Sequence, residues 1–224
     1  LVPTDFSASA EYAAKIAIAL AKKAKAEIYF LHLHLPLSSG GHAAMHGAAT
    51  NKKKHQQHDH LGHVKGQLQS LVAKAEREGV SAKLALVLDD SRQQIEKSIK
   101  AFSIDLVVMG SHGVRGLREI LGSNTQKLVR HSIAPVLVVK EKVKKLEIKN
   151  IVFASTFEED VHKPFMKVIE FADLMDAKIH LLYVNTPFLF KETDTTEANM
   201  KAFLKKCPRG TCTINIYNSL NEEI

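Results

Sequence analysis

Apolar residues follow two patterns along the chain, short continuous runs and longer stretches with helical spacing. Between the runs, apolar residues fall three and four positions apart, as on the buried face of a helix. Continuous apolar strands are typical of a parallel sheet that is covered on both faces. The alternation predicts a Rossmann-like α/β fold, a doubly wound five-stranded parallel sheet in the strand order 3-2-1-4-5 with right-handed crossovers. The predicted strands lie at 1–3, 27–36, 82–88, 104–110 and 134–140.

Several predicted helices have recognisable ends. Ser7 is placed to cap the first helix, and Gly79 follows a second helix whose apolar residues run from 61 to 75. A helix after the fourth strand begins around Ser123. The histidine-rich segment of residues 40–66 is predicted to be a surface loop, and no specific metal site is assigned to it.

The strand, helix, strand order starts again after residue 149, at an offset of about 150 residues, which indicates an internal duplication. We interpret 1–141 as a nucleotide-binding domain, 142–149 as a linker and 150–224 as a second, similar domain that is degenerate and truncated. In this alignment Ser155 stands where Asp5 stands in the first domain, so the second domain is expected to bind nucleotide weakly or not at all.

The segment GSHGVRGLREILGSNT, which follows the fourth strand, contains the candidate chemistry. A glycine-rich turn that leads into a helix N-terminus exposes backbone N–H groups and the positive end of the helix dipole, which favours phosphate. Gly110 and Gly113 would shape the turn, and Arg115 could approach the phosphates. Asp5 follows the first strand, at the switch point where ligands bind in such sheets, and is placed to accept ribose hydroxyls. The helix that follows Gly122 offers donors at Ser123, Asn124 and Thr125.

The same residues also suit a purely structural role. The glycines can form an ordinary turn, Ser123 with Gln126 is a capping box, and Asp5 can cap the first helix. The chain has no GxSxG, HExxH or paired-carboxylate motif, and the glycine segment lacks the GK[ST] ending of a P-loop. We therefore expect binding rather than catalysis, with slow ATP hydrolysis at most.

The segments PTDFS, LHLHLP and VMGSHGVRGLREILGSNTQKLVRHSIAPVLVVK resemble the universal stress protein family, in its ATP-binding branch, with two such domains in tandem. The resemblance implies that Asp5 holds the ribose and that Pro3 and Leu33 line the adenine pocket, with Met109 beside them. It implies ATP, or AMP or ADP, as the ligand, with Mg²⁺ as an option carried by the nucleotide. The ribose and phosphates would be bound by Gly110, His112, Gly113, Gly122, Ser123, Asn124 and Thr125.

One departure from the family's pattern concerns the phosphate loop. The family places nine residues between its second and third motif glycines, whereas eight separate Gly113 from Gly122 here. Three functions therefore stay open. The first is an ATP-binding protein of stress response or signalling, the second is a nucleotide-free dimerisation or scaffold protein, and the third is an adenine-nucleotide-dependent enzyme.

Charge and composition restrict the partners and the location. Residues 1–150 carry 23 Lys and Arg against 13 Asp and Glu, and residues 151–224 carry 8 against 11. The basic residues are scattered and few aromatics lie between them, which argues against a nucleic-acid surface. No apolar run approaches the ~20 residues of a membrane span, so we expect a cytoplasmic protein that does not bind membranes. The apolar fifth strand, Pro135 to Val139, predicts a homodimer or an intramolecular pseudo-dimer.

Overall fold

The computed structural model describes residues 1–34, 49–88, 93–111, 123–143, 145–157, 161–187, 191–205 and 212–219. Residues 49–59, 123 and 124 are described by their backbone alone. The chain divides into two compact units, Leu1–Leu146 and Glu147–Ile224.

The first unit alternates strands and helices, and every strand pairing is parallel. An α/β fold with parallel sheets is therefore confirmed. Its elements are β1 (Val2–Pro3), α1 (Ala8–Ala24), β2 (Ile28–Leu33), α2 (Ala49–Arg77), β3 (Ala82–Val87), α3 (Gln93–Ala101), β4 (Val107–Gly110), α4 (Ser123–His131) and β5 (Val136–Val139).

Among the described residues of the first unit, the strands form two sheets, in the orders β1-β2-β3 and β4-β5. Two hydrogen bonds connect Leu1 to the beginning of β4. The Leu1 nitrogen donates to the Leu106 carbonyl at 2.8 Å, and the Val108 amide donates to the Leu1 carbonyl at 2.9 Å. One continuous sheet in the order 3-2-1-4-5 stays a prediction.

The buried residues of β2 explain why its apolar run is continuous. Phe30 and Leu31 are neighbours that point to opposite faces of the strand, and both have no exposed surface. Leu31 packs with Ile95 and Ile99 of α3 and with Leu128 of α4. The strand is therefore covered on both faces, as expected for a strand inside a parallel sheet.

The ends of two helices agree with their predicted signals, whereas the start of α2 does not. Ser7 caps α1 by accepting a hydrogen bond from the Ala10 amide at 3.3 Å, and Gly79, just after α2, has φ +76°. α2 begins at Ala49, so the surface loop predicted over residues 40–66 is wrong from residue 49 onward. Residues 49–60 contain no Gly or Pro and include three Lys and two Gln, good helix formers that extend α2 beyond its apolar face.

The described residues of the second unit form three parallel strands in the order β6-β7-β8 and two crossover helices. Phe165 and Met200, one from each helix, have no exposed surface and lie in a core with alternate residues of the strands. On the other face, side chains of the outer strands β6 and β8 are exposed, 60% for Val152 and 62% for Tyr217. The elements are β6 (Asn150–Ala154), α5 (His162–Met175), β7 (Lys178–Asn185), α6 (Thr193–Lys205) and β8 (Cys212–Asn218).

Equivalent hydrogen bonds in the two units correct the alignment of the repeat. The Thr4 amide donates to the Leu31 carbonyl at 2.8 Å, and the Ser155 amide donates to the Leu182 carbonyl at 3.1 Å. Ser155 is therefore the counterpart of Thr4, and its assignment to Asp5 is wrong by one residue. Thr156 stands at the position of Asp5. Apolar runs tolerate a slip of one residue in a sequence comparison, whereas hydrogen-bond register does not.

Candidate functional site

The turn that follows β1 presents Asp5 at the end of the strand. The Asp5 side chain is held locally, because its Oδ1 accepts a hydrogen bond from the Ser7 amide at 3.0 Å. The residue is exposed. A carboxylate has acceptor capacity for about four hydrogen bonds, so an exposed carboxylate at this strand end suits ligand hydroxyls.

Phe6, next in this turn, has the unusual backbone angle φ 62°. A non-glycine residue in the left-handed region costs roughly 1–2 kcal/mol, so neighbouring contacts must hold it there. Thr4 Oγ1 accepts a hydrogen bond from the Phe6 amide at 3.0 Å, and the ring of Phe6 stacks on His32 with centroids 4.8 Å apart. The turn around Asp5 is thus fixed on both sides.

The carboxyl end of β4 lies against two helices. A Cβ atom on Gly110 would lie 2.6 Å from Ser9 Oγ and 2.7 Å from the Ser9 carbonyl carbon, so α1 approaches β4 more closely than any side chain there would permit. Thr125, in the first turn of α4, donates from Oγ1 to the Gly110 carbonyl at 3.2 Å. The start of α1 and the start of α4 therefore both contact Gly110, at the carboxyl end of β4.

The residues predicted around adenine occupy strand ends in the same unit. Met109 in β4 is buried, and half-buried Leu33, the last residue of β2, packs against the same cluster. Half-buried Pro3 pairs with Leu31 in the neighbouring strand. The structure thus brings Leu33 and Met109 into one apolar cluster and places Pro3 on an adjacent strand.

The remaining predicted residues divide between α4 and the glycine segment. Ser123, Asn124 and Thr125 are the first three residues of α4, so the helix begins where it was predicted, and a phosphate at its N-terminus stays a prediction. Thr125 is buried and its hydroxyl is engaged with Gly110. His112, Gly113, Arg115 and Gly122 lie outside the described residues, so their roles stay predictions.

A group of histidines lies beside the turn that carries Asp5, and no sequence motif predicted this group. The ring of His34 is 6.1 Å from that of His32 and 5.1 Å from that of His60 in α2, measured between centroids. His34 is buried, and its Nε2 has no hydrogen-bond partner among the described residues. Burial, followed by the nearby His60 and His32, holds the pKa of His34 below its ordinary value.

Two observations limit other kinds of site within the part of the chain that the structure describes. It contains no group of three His, Cys, Asp or Glu residues arranged to hold a metal ion, and no helix long and apolar enough to cross a membrane.

A cleft of about 140 Å³ lies between the Asp5 turn and α2, with Thr4, Phe6 and Gln67 in its wall. Ligand pockets usually measure roughly 300–1,000 Å³, so this cleft is too small to be a complete nucleotide pocket.

Comparison with known proteins identifies the family. The model of the universal stress protein family matches residues 1–140. This chain belongs to the universal stress protein family. The universal stress protein MJ0577 of Methanocaldococcus jannaschii is 30% identical over 152 residues, which cover 63% of this chain and 94% of that protein. YxiE of Bacillus subtilis, also a universal stress protein, is 27% identical over 149 residues, 62% of this chain and 97% of its own length.

Solved structures of universal stress proteins agree with this fold. The structure of MJ0577 superposes with a TM-score of 0.51 at 28% identity, covering 64% of this chain and 95% of that one. A universal stress protein from Archaeoglobus fulgidus superposes with a TM-score of 0.69 at 14% identity. That alignment covers 98% of this chain and 77% of the other, and at this identity it shows the fold alone.

Proposed function

We propose that this universal stress protein binds ATP, or a related adenine nucleotide, at the carboxyl ends of β1 and β4. One observation carries the proposal. The Asp5 turn and the Gly110 to Thr125 hydrogen bond lie at the ends of two strands that Leu1 connects through Leu106 and Val108. In α/β sheets of this kind, ligands bind in the crevice beyond the carboxyl ends of such strands.

Each described part of the site suits one part of the nucleotide. The exposed carboxylate of Asp5 suits the ribose hydroxyls, and Pro3, Leu33 and Met109 offer apolar surface for the adenine ring. The phosphates would be bound by the backbone N–H groups at the start of α4. The Thr125 hydroxyl would not donate to them, because it donates to the Gly110 carbonyl. We assign His112, Gly113, Arg115 and Gly122 to the phosphates and ribose from the family resemblance, with any Mg²⁺ arriving with the nucleotide.

The second unit, in this proposal, is a second universal stress protein-like domain that has lost the site. Its turn keeps hydrogen bonds equivalent to those of the first unit, from the Ser155 amide to Leu182 and from the Phe157 amide to Ser155 Oγ, but carries Thr156 where Asp5 stands. A threonine hydroxyl has no negative charge and is a weaker acceptor for ribose hydroxyls than a carboxylate. The full chain should therefore bind one nucleotide, and that nucleotide would act as a signal in a stress response, with the cytoplasm as the expected location.

Binding to the purified full chain tests this proposal. We expect adenine nucleotide to co-purify or to bind on addition of Mg·ATP with a stoichiometry of one, and Asp5→Asn to weaken binding at least about tenfold. Thr156→Val is the matched control, because it changes the equivalent residue of the second unit and should leave the affinity unchanged. Equal losses in both variants, or no loss in Asp5→Asn, would contradict the assignment of Asp5.

A nucleotide-free scaffold is the second candidate, and two observations favour it. The glycine segment is one residue shorter than the family's pattern. Val129 in α4 and Ile133, between α4 and β5, are 49% and 62% exposed although they are apolar. Pairing of β5 with a second copy would cover such side chains. Light scattering on the purified chain tests this, since a dimer supports pairing between copies, and a monomer leaves the intramolecular alternative.

A further inference from the structure

His32, a half-buried residue of β2, reaches across to the end of β1. Its Nδ1 lies 2.8 Å from the Thr4 carbonyl oxygen. Because a carbonyl only accepts, Nδ1 carries the proton and donates. This carbonyl belongs to the peptide unit that joins Thr4 to Asp5. The hydrogen bond therefore fixes the orientation of that peptide plane, and with it the backbone nitrogen of Asp5.

The same imidazole also contacts the residue on the other side of Asp5. Its ring stacks on Phe6, with an interplanar angle of 24°. Phe6 has the strained φ of 62°, so the stacked ring helps to keep the backbone in that conformation. His32 therefore holds both neighbours of Asp5, one by a hydrogen bond and the other by stacking.

The second unit shows what the turn needs for folding alone. There the Ser155 Oγ accepts a hydrogen bond from the Phe157 amide at 3.2 Å, and Phe157 has φ 56°. The β7 residue equivalent to His32 is Tyr183, because Phe30 and Leu181 hold the same register position two residues earlier. The turn therefore forms without a histidine. In this chain the histidine lies beside the turn that carries the Asp5 carboxylate, whereas a tyrosine holds the equivalent position in the unit that carries Thr156.

We propose that His32 is a positioning residue that orients the Asp5 carboxylate toward the ribose hydroxyls and so makes the site selective for ribonucleotides. This inference rests on the proposed nucleotide function. A carboxylate that must meet two adjacent hydroxyls needs its backbone fixed within a fraction of an ångström. The histidine supplies that constraint without touching the nucleotide.

The test compares affinities for ATP and for 2′,3′-dideoxy-ATP in the full chain. His32→Phe keeps a ring to stack on Phe6 and removes the donor to Thr4. We expect it to lower the affinity for ATP about tenfold, the factor that corresponds to one well-placed hydrogen bond, and to change the affinity for the dideoxy nucleotide little. His32→Asn, whose amide nitrogen replaces Nδ1 as donor, should retain more of the preference for ATP. Tyr183→Phe is the matched change in the second unit and should leave both affinities unaltered.

A double-mutant cycle separates positioning from general support of the fold. In the Asp5→Asn background, His32→Phe should cause no further loss of ATP affinity, because the group that it positions has gone. Additive losses, or equal losses for both nucleotides, would overturn the inference and leave the proposed function standing. A wild-type chain that binds neither nucleotide would overturn both. Far-ultraviolet circular dichroism checks the folding of each variant, and His32→Asn still decides the question if His32→Phe does not fold.

Discussion

Gly110 in β4 and Ser9 in α1 are in such close contact that a methyl group at position 110 would lie 2.6 Å from the Ser9 hydroxyl oxygen. The backbone of Ser9 is also within 2.8 Å of that point, so rotation of the serine side chain alone could not relieve the overlap. Gly110 has no positive φ. Its role is therefore close approach of a helix to a strand, rather than an unusual backbone conformation.

Replacing Gly110 by alanine should therefore destabilise the first unit. Overpacking of this kind costs roughly 1–3 kcal/mol, because α1 or β4 must shift to admit the methyl group. Gly62→Ala is the control, since no atom lies within 4 Å of a Cβ placed there and the residue is inside α2. That change should stabilise the chain by up to about 1 kcal/mol. Denaturant unfolding of both variants measures the difference, and an equal response would show that the contact with Ser9 has no energetic consequence.

The family and the fold class were predictable from the sequence because continuous apolar runs and the glycine segment are local features. The close packing that requires glycine at position 110 was not predictable from the sequence. The sequence shows that a glycine follows a strand, but the helix that excludes a side chain there comes from residues about a hundred positions earlier. The start of α2 and the counterpart of Asp5 were also misplaced, because helix extension and strand register depend on weak local preferences and on hydrogen bonds respectively.

The histidines beside the Asp5 turn show another limit of the sequence. His32 and His34 read as ordinary strand residues, and His60 reads as part of a histidine-rich tract. The contact of His34 with His60 appears only when α2 packs beside the end of β2. Alternation along the strand places His32 and His34 on one face, so the sequence could have paired these two but gave no reason to add His60.

Protonation of His34 should destabilise the folded chain as the pH falls. The pKa of His34 is below its ordinary value of about 6.5, chiefly through burial and then through His60 and His32. Between the folded pKa and about 6.5 the unfolded chain binds the extra proton, so the free energy of unfolding decreases as the pH is lowered through this window. Above it, this contribution is fully present. Unfolding midpoints at about pH 7.5 and about pH 5.5 measure the decrease.

The matched variant for this prediction is His34→Leu, which keeps apolar bulk and removes the titrating group. Its unfolding midpoint should change less between the two pH values than that of the wild-type chain, because the remaining histidines titrate in both proteins. The buried Nε2 of His34 has no partner among the described residues, so its removal leaves no described donor or acceptor unsatisfied. An identical pH dependence in both proteins would contradict the assignment of the effect to His34.

The two equivalent turns permit a comparison of stability and binding within one chain. Thr4→Val removes the acceptor of the Phe6 amide, and Ser155→Ala removes the acceptor of the Phe157 amide. Each change should cost about 1–2 kcal/mol in its own unit, because a backbone donor in a strained turn loses its partner. Thr4→Val alone should also weaken ATP binding, since the turn that it loosens carries Asp5. Calorimetric titration of both variants with Mg·ATP decides this, and similar affinities would count against a role for the turn.

The aromatic core of the second unit predicts a large effect on stability that leaves the proposed nucleotide site intact. Phe165 is fully buried, and its ring centroid lies 4.8 Å from that of Phe153 and 4.9 Å from that of Phe203. Phe165→Ala should lower the free energy of unfolding of this unit by about 3–5 kcal/mol, through lost burial and the cavity left behind. Tyr217→Ala, on the exposed face, should change it by less than about 0.5 kcal/mol. If the nucleotide binds in the first unit alone, the ATP affinity of the Phe165→Ala chain, measured where it remains folded, should equal that of the wild-type chain.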